Sequence, residues 1–170
     1  MKPVNIALVS LLTVSAGCGD EQHVEFNSRD GKFKIQFPGT PKVSTAVAAN
    51  NIQVTTYGVE SLQGAYMVVC YDTPNPPKTE EAIRKFLVDD AEHMFAGPGK
   101  GEVKFKKDIT LQNSIGIEFT GKLKQPKEFE LWGRSYLVGN RVYRITIVGS
   151  AWKLELNETR KYLDSFEVTP

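Results

Sequence analysis

The sequence contains few of the side chains that reactive or metal-binding sites require. Its 170 residues include two cysteines and two histidines. No H-x-x-x-H, C-x-x-C, H-E-x-x-H or G-x-S-x-G motif occurs, so the common signatures of zinc sites, thiol redox centres and serine hydrolases are absent. We therefore expect no catalytic activity, no metal site and no cofactor.

The sequence also lacks a strong charge of either sign. It has 21 basic and 20 acidic residues, and a nearly neutral chain has no general electrostatic attraction for nucleic acid. The densest basic run consists of Lys104, Lys106 and Lys107, which alternate with Val103 and Phe105. That alternation is typical of a strand with one solvated face, and a polyanion site is the alternative.

No apolar run approaches the roughly 20 residues that a membrane-spanning helix needs. The mostly apolar segment from Ile6 to Val14 follows a positive start at Lys2 and precedes three small residues, 15–17. This order is typical of a secretory signal peptide, and we assign residues 1–17 to it.

The leader ends in Ser15-Ala16-Gly17-Cys18, which resembles the lipobox of bacterial lipoproteins. The resemblance implies that Cys18 becomes the mature N-terminus and carries a thioether-linked diacylglycerol. Because two or more acyl chains hold a protein stably at a membrane, we expect a lipid-anchored protein of the cell envelope that faces the periplasm or the cell exterior. Residues 18–23 would form its tether. An ordinary leader beside an unrelated cysteine is the alternative.

The second cysteine, Cys70, lies in the apolar segment of residues 65–71 and could in principle be a reactive thiol. A reactive thiolate needs a base or a positive charge nearby, whereas the sequence neighbours of Cys70 are apolar or aromatic. We therefore expect a buried, structural thiol.

Residues 24–170 suit one domain, and their hydrophobic pattern predicts an α+β fold with an antiparallel sheet. Asp30-Gly31 and Gly139-Asn140 are hairpin turn signals. Strands are predicted over residues 24–26, 33–37, 52–59, 66–72, 103–111, 114–122, 128–138 and 142–149.

Two helices are predicted to cover the faces of the sheet. The first spans residues 79–96 and begins with Thr79, a good N-cap; the second spans residues 150–165. Each has an apolar stripe at helical spacing, formed in the first by Ile83, Phe86, Leu87, Ala91 and Met94, and in the second by Trp152, Leu156, Thr159, Leu163 and Phe166.

A two-residue turn at Gly139-Asn140 fixes the register of the hairpin around it. The register places Trp132, Arg134 and Tyr136 on one apolar-leaning face, where an arginine needs a carboxylate, a carbonyl or an aromatic ring. These three residues are candidate contacts for an anionic group of a ligand or partner. An internally paired or edge-exposed Arg134 is the alternative.

Two segments resemble small exported bacterial proteins with a PsbP/Mog1-like fold. They are the F-x-x-x-F-P-x-x-P pattern of residues 33–41 and the segment of residues 133–143 that precedes the closing helix. The resemblance covers about residues 24–168. It implies an antiparallel sandwich with helices on its faces, action by binding other proteins, and no catalytic machinery common to members. The matched positions are turns and core, so no functional residue is carried over.

The first hypothesis is therefore a lipid-anchored binding or protein-interaction module without catalytic activity, attached to the membrane and bound to an unidentified protein partner. A small-ligand carrier with a cleft between helix and sheet is the second. The third is an enzyme built on a carboxylate cluster or on His93, which follows Asp89 by one helical turn. That pair could form half of a metal site, and a solvated pair is its alternative.

Overall fold

The structure is a computed structural model that describes residues 23–48, 51–96, 101–124, 128–151, 154 and 156–170. Within these residues the chain forms ten strands and two helices. In chain order they are β1 Val24–Ser28, β2 Phe33–Phe37, β3 Lys42–Val47, β4 Gln53–Glu60, β5 Ala65–Asp72, α1 Glu80–Phe95, β6 Glu102–Leu111, β7 Ser114–Leu123, β8 Phe129–Val138, β9 Arg141–Gly149, α2 Leu156–Asp164 and β10 Glu167–Val168.

Seven strands form the main sheet in the order β3-β4-β5-β9-β8-β7-β6, and every neighbouring pair is antiparallel. A second sheet has the order β1-β2-β10. One face of the main sheet packs on the second sheet and α2, while α1 covers β6, β7 and β8 on the opposite face. The expected α+β class with helices on both faces of an antiparallel sheet is confirmed.

Two strands were not predicted from the sequence. All six residues of β3 are exposed, so this edge strand has no buried face to impose an alternating hydrophobic pattern. Strand β10 has only two residues and pairs with β2 through Glu167 opposite Lys34. Its existence depends on a partner more than 130 residues away in sequence, which local patterns do not encode.

The predicted register of the β8–β9 hairpin is confirmed. Val138 lies opposite Arg141 across a turn in which Gly139 has φ +63°, the left-handed conformation that favours glycine. Tyr136 lies opposite Tyr143, and Trp132 opposite Ile147. The face that carries these residues meets the second sheet and α2.

Helix α1 begins as predicted, because the Thr79 side chain accepts a hydrogen bond of 3.3 Å from the Ala82 amide. Its buried residues are Leu87, Ala91 and Phe95. A Cβ at Gly121 on β7 would lie 2.4 Å from the Phe95 ring. Helix and sheet can therefore approach this closely only because glycine stands at that position.

Helix α2 spans Leu156–Asp164 and buries Thr159, Tyr162 and Leu163; residues 150, 151 and 154, which were predicted to belong to it, are not helical. Phe166 follows the helix and is 3% exposed. The prediction of a buried Leu156 was wrong: as the first residue of the helix it remains 46% exposed. Trp152, also assigned to this stripe, lies outside the described residues. Neither described helix has the length and apolar character that crossing a bilayer requires.

Candidate functional site

The structure places Arg134 in contact with three internal partners. Its Nε donates to Glu118 Oε2 at 2.9 Å, its Nη1 donates to the Leu163 carbonyl at 3.1 Å, and its Nη2 lies 2.6 Å from Asp164 Oδ1. The side chain is 16% exposed. Because each guanidinium nitrogen already has an acceptor, Arg134 ties β8 to β7 and to the last turn of α2.

The other two predicted contact residues belong to the packed interior. Tyr136 is 3% exposed, and its ring stacks on Phe166 with centroids 6.1 Å apart. Trp132 packs at the margin of the same core. The geometry therefore gives no support to a ligand mouth at Trp132, Arg134 and Tyr136, and it matches the alternative in which Arg134 is paired within the chain.

The histidines are separated in the fold. His93 is exposed, and its Nδ1 lies 2.6 Å from the Asp89 backbone oxygen, while the Asp89 carboxylate binds Lys85 at 3.0 Å. Within the described ranges, no three His, Cys, Asp or Glu side chains are grouped as metal ligands. His93 therefore fits the alternative in which His93 and Asp89 are a solvated pair on the helix surface.

His23 lies in the predicted tether, yet its side chain is only 10% exposed. Its ring meets the Tyr66 ring edge-on at a centroid distance of 6.5 Å, and Nε2 lies 3.6 Å from Glu158 Oε2. The packed part of the domain therefore includes His23, one residue before the predicted boundary.

Of the two cysteines, Cys70 lies among the described residues. Cys18, the predicted lipidation site, lies outside the described residues. Cys70 is a free cysteine with 6% exposure, and burial raises the pKa of its thiol. The low exposure confirms the prediction of a buried thiol, and a raised pKa keeps the sulfur protonated and weakly nucleophilic.

The basic run on β6 is neutralised by carboxylates. Lys104 pairs with Glu102, Lys106 with Glu92 on α1, and Lys107 with Glu118 at 3.2 Å. The expectation of a solvated strand face fits these contacts better than a polyanion site does.

A buried polar group that sequence reasoning missed joins α1 to the main sheet. Arg144 Nη2 on β9 lies 2.5 Å from Asp90 Oδ2, and the Tyr71 hydroxyl on β5 donates to Asp90 Oδ1 at 2.9 Å. Burial, followed by the nearby Asp90 charge, raises the pKa of Tyr71, so Tyr71 stays a donor. These contacts fix the position of α1.

An open cleft of about 630 Å³ lies beside the exposed edge of the main sheet. We call it the β3 cleft. Its floor comes from β3, β4 and β5, and its walls come from the turns after β1, β5 and β8. The residues that line it include Asp30, Val43, Thr45, Gln53, Thr55, Tyr57, Cys70, Asp72, Asn140 and Arg141.

The floor of the β3 cleft carries uncharged hydrogen-bonding groups. Thr45 and Thr55 lie opposite each other with their hydroxyls 3.5 Å apart. The Tyr57 hydroxyl accepts a hydrogen bond of 2.9 Å from Ser28. These threonine and tyrosine hydroxyl groups can donate and accept hydrogen bonds, and none of them is charged.

The wall of the β3 cleft holds an ion pair. Arg141 binds Asp72 through two hydrogen bonds of 2.7 and 2.9 Å and donates a third to the Asp30 carbonyl at 2.9 Å. The hydrogen bonds from Arg141 hold the pKa of Asp72 below its ordinary value. The pair thus stays charged but mutually compensated, and it braces the wall rather than leaving a free cation in the cleft.

Sequence reasoning did not find this cleft. The second hypothesis expected a cleft between helix and sheet, whereas the β3 cleft lies between the sheet and three turns; the opening between α1 and β6 is smaller, at about 220 Å³. No sequence signal identifies it, because its floor includes the unpredicted β3 and its wall joins Asp72 to a residue 69 positions later.

No family model matches the sequence, and no curated protein matches it. Among solved structures, cyanobacterial PsbP (CyanoP) from Synechocystis sp. PCC 6803 superposes with a TM-score of 0.62 at 10% identity, covering 92% of this chain and 98% of that chain. A Pseudomonas aeruginosa protein of unknown function, described as a putative regulator, gives 0.47 at 9% identity, over 80% and 88%. The chain therefore has a PsbP-like fold, and identity this low shows the fold alone.

Proposed function

We propose that this protein is a lipid-anchored protein-interaction module of the bacterial cell envelope that docks a partner polypeptide in the β3 cleft. The observation that carries the proposal is the cleft itself: an open surface of about 630 Å³ whose floor presents uncharged donors and acceptors. Polar, partly wet surfaces of this kind are typical of non-obligate protein interfaces.

The position of the cleft suits a protein attached through Cys18. Five peptide links join Cys18 to His23 and span at most about 18 Å, so the end of the domain beside His23 and Tyr66 stays near the membrane. The cleft lies at the opposite end of β5, at Cys70 and Asp72. A strand rises about 3.3 Å per residue, which places the cleft roughly 13–20 Å further along β5.

A small uncharged ligand is the second candidate for the same cleft. The observation in its favour is size, because clefts that bind small molecules measure about 300–1,000 Å³ and this one measures about 630 Å³. Hydroxyl and amide groups such as those of Thr45, Thr55 and Gln53 would select a ligand rich in hydrogen-bonding groups.

The test compares Thr55→Arg with Thr56→Arg. Thr55 lines the cleft, and the next residue points to the opposite face of the same strand, so the second variant is a matched control. Full chains are extracted from membranes, and the proteins that accompany them are quantified by mass spectrometry.

The proposal expects at least one protein to be lost from Thr55→Arg and retained by Thr56→Arg and wild type. Identical sets of accompanying proteins for all three chains would contradict it. A bound small molecule seen by native mass spectrometry in wild type, and lost only from Thr55→Arg, would favour the carrier instead.

A further inference from the structure

Strand β3 leaves one edge of the main sheet without a partner among the described strands. Its six residues are all exposed; Val43 is 56% exposed and Val47 is 68% exposed. Lys42 is its one charged residue. An exposed edge presents a row of free amide and carbonyl groups that can pair with another strand.

The opposite edge of the same sheet is protected. Strand β6 has a register shift between Val103 and Phe105, and a bulge of this kind disrupts pairing with a further strand. It also carries five charged residues, namely Glu102, Lys104, Lys106, Lys107 and Asp108. The two edges therefore differ in the features with which proteins prevent edge-to-edge association: β6 has a bulge and five charged residues, whereas β3 has only Lys42.

We propose that β3 pairs antiparallel with β3 of a second copy of this chain, about a twofold axis centred on Thr45. The two main sheets then continue into one another. In this register Val43 lies opposite Val47 of the partner subunit, and Ser44 lies opposite Ala46 of the partner subunit.

Charge and packing favour this register. A twofold axis perpendicular to the sheet keeps Val43, Thr45 and Val47 of both copies on one face, so β-branched side chains meet across the junction. The two Lys42 ammonium groups lie at opposite ends of the paired segment. Centring the axis on Ser44 instead would set Val47 opposite Pro41 of the partner subunit, which has no amide to donate.

The pairing goes beyond the proposed function: it does not require a partner in the β3 cleft, and it rests on that function only for attachment to the membrane. Val43 and Thr45 also line the β3 cleft, so a twofold axis on Thr45 would bring the two clefts side by side on one face of the joined sheet. Attachment of both copies to one membrane would raise their effective concentration and favour a contact as small as one strand pair.

In the proposed register, Thr45 of one copy lies opposite the same residue of the second copy, and the first test places charges at this position. Full chains with two different C-terminal tags are co-expressed, extracted in mild detergent and captured through one tag. We expect wild type to capture wild type. Like charges placed opposite each other destabilise a strand pair, so Thr45→Lys should capture Thr45→Lys, and Thr45→Glu should capture Thr45→Glu, about tenfold less.

The mixed pair makes the test specific, since Thr45→Lys should capture Thr45→Glu as well as wild type captures wild type. This recovery also shows that both variants are folded. Thr110→Lys, an identical change at an exposed site on β6, should capture itself as wild type does. No capture between wild-type chains, or equal capture by Thr45→Lys, would overturn the proposal.

A second measurement uses disulfide formation. Directly opposite Cβ atoms in an antiparallel pair lie about 4.5–5.5 Å apart, close enough for a disulfide after a small adjustment. Mild oxidation of membranes should convert Thr45→Cys to a dimer on a non-reducing gel and leave Thr110→Cys monomeric. Both variants retain Cys18 and Cys70, so these cysteines cannot account for a difference. Equal yields from the two variants would contradict the register.

Discussion

Phe166 provides a direct test of how the C-terminal segment holds the two sheets together. Its side chain is 3% exposed. The ring lies 5.6 Å from the Phe33 ring on β2, 6.1 Å from Tyr136 on β8 and 5.4 Å from Tyr143 on β9, measured between centroids. Phe166 therefore joins the second sheet to the main sheet, and Phe166→Ala would leave a cavity between them.

The expected loss can be estimated from these contacts. Replacing a buried phenylalanine by alanine costs about 3–5 kcal/mol, because transfer free energy and cavity formation add. A domain of this size has a total stability of about 5–15 kcal/mol. With a urea dependence of about 2 kcal/mol/M, the unfolding midpoint should fall by roughly 1.5–2.5 M.

The assay is urea unfolding of residues 19–170, followed by circular dichroism. Phe166→Leu, which keeps most of the apolar volume, should lose much less stability than Phe166→Ala. Exposed His93→Ala should stay within about 0.5 kcal/mol of wild type. If Phe166→Ala unfolds at the same urea concentration as His93→Ala, Phe166 is not packed between the sheets and the described core is wrong.

Three further predictions concern the anchor, the thiol and the Glu118–Arg134 pair. Mass spectrometry of membrane-extracted protein should show a diacylglyceryl group on an N-terminal Cys18; an unmodified Cys18 would refute the anchor. A thiol reagent should label Cys70 slowly in the native protein and rapidly in denaturant, and fast native labelling would contradict its burial. Burial opposes ionisation of Glu118, but hydrogen bonds from Arg134 and Lys107 outweigh it and hold the pKa of Glu118 below its ordinary value. Its stabilising contribution is therefore complete above the unfolded-state pKa and disappears as the pH falls through the lower folded-state pKa. Urea unfolding should show Glu118→Gln less stable than wild type at pH 7, with the difference shrinking in acid; a constant difference would refute this linkage.

Local sequence determined the elements whose stabilising contacts are close along the chain. The β8–β9 hairpin was predicted with its register because a two-residue turn at Gly139-Asn140 sets which residues face each other. Helix α1 was predicted because Thr79 caps it and its apolar stripe repeats at helical spacing. The signal-peptide and Cys18 pattern is likewise local, and lipid anchoring remains a prediction.

The candidate site depended on contacts that are distant along the chain. Arg134 was recognised as a side chain in need of partners, but those partners come from Glu118 on β7 and from Leu163 and Asp164 at the end of α2. Whether an arginine on a strand face meets a ligand or an internal carboxylate depends on which element packs above it. The sequence of one strand carries no information on that choice.

The sequence by itself determined the fold class, the hairpin register, the capped helix and the burial of Cys70, because each follows from a turn, a cap or a periodic pattern within one segment. Tertiary structure alone decided the third strand of the second sheet, the partners of Arg134 and the β3 cleft. Strand β10 is defined by its pairing with β2, and the cleft wall is held by the ion pair of Arg141 and Asp72. The physical reason is that packing and long-range pairing select among conformations that local propensity leaves nearly equal in free energy.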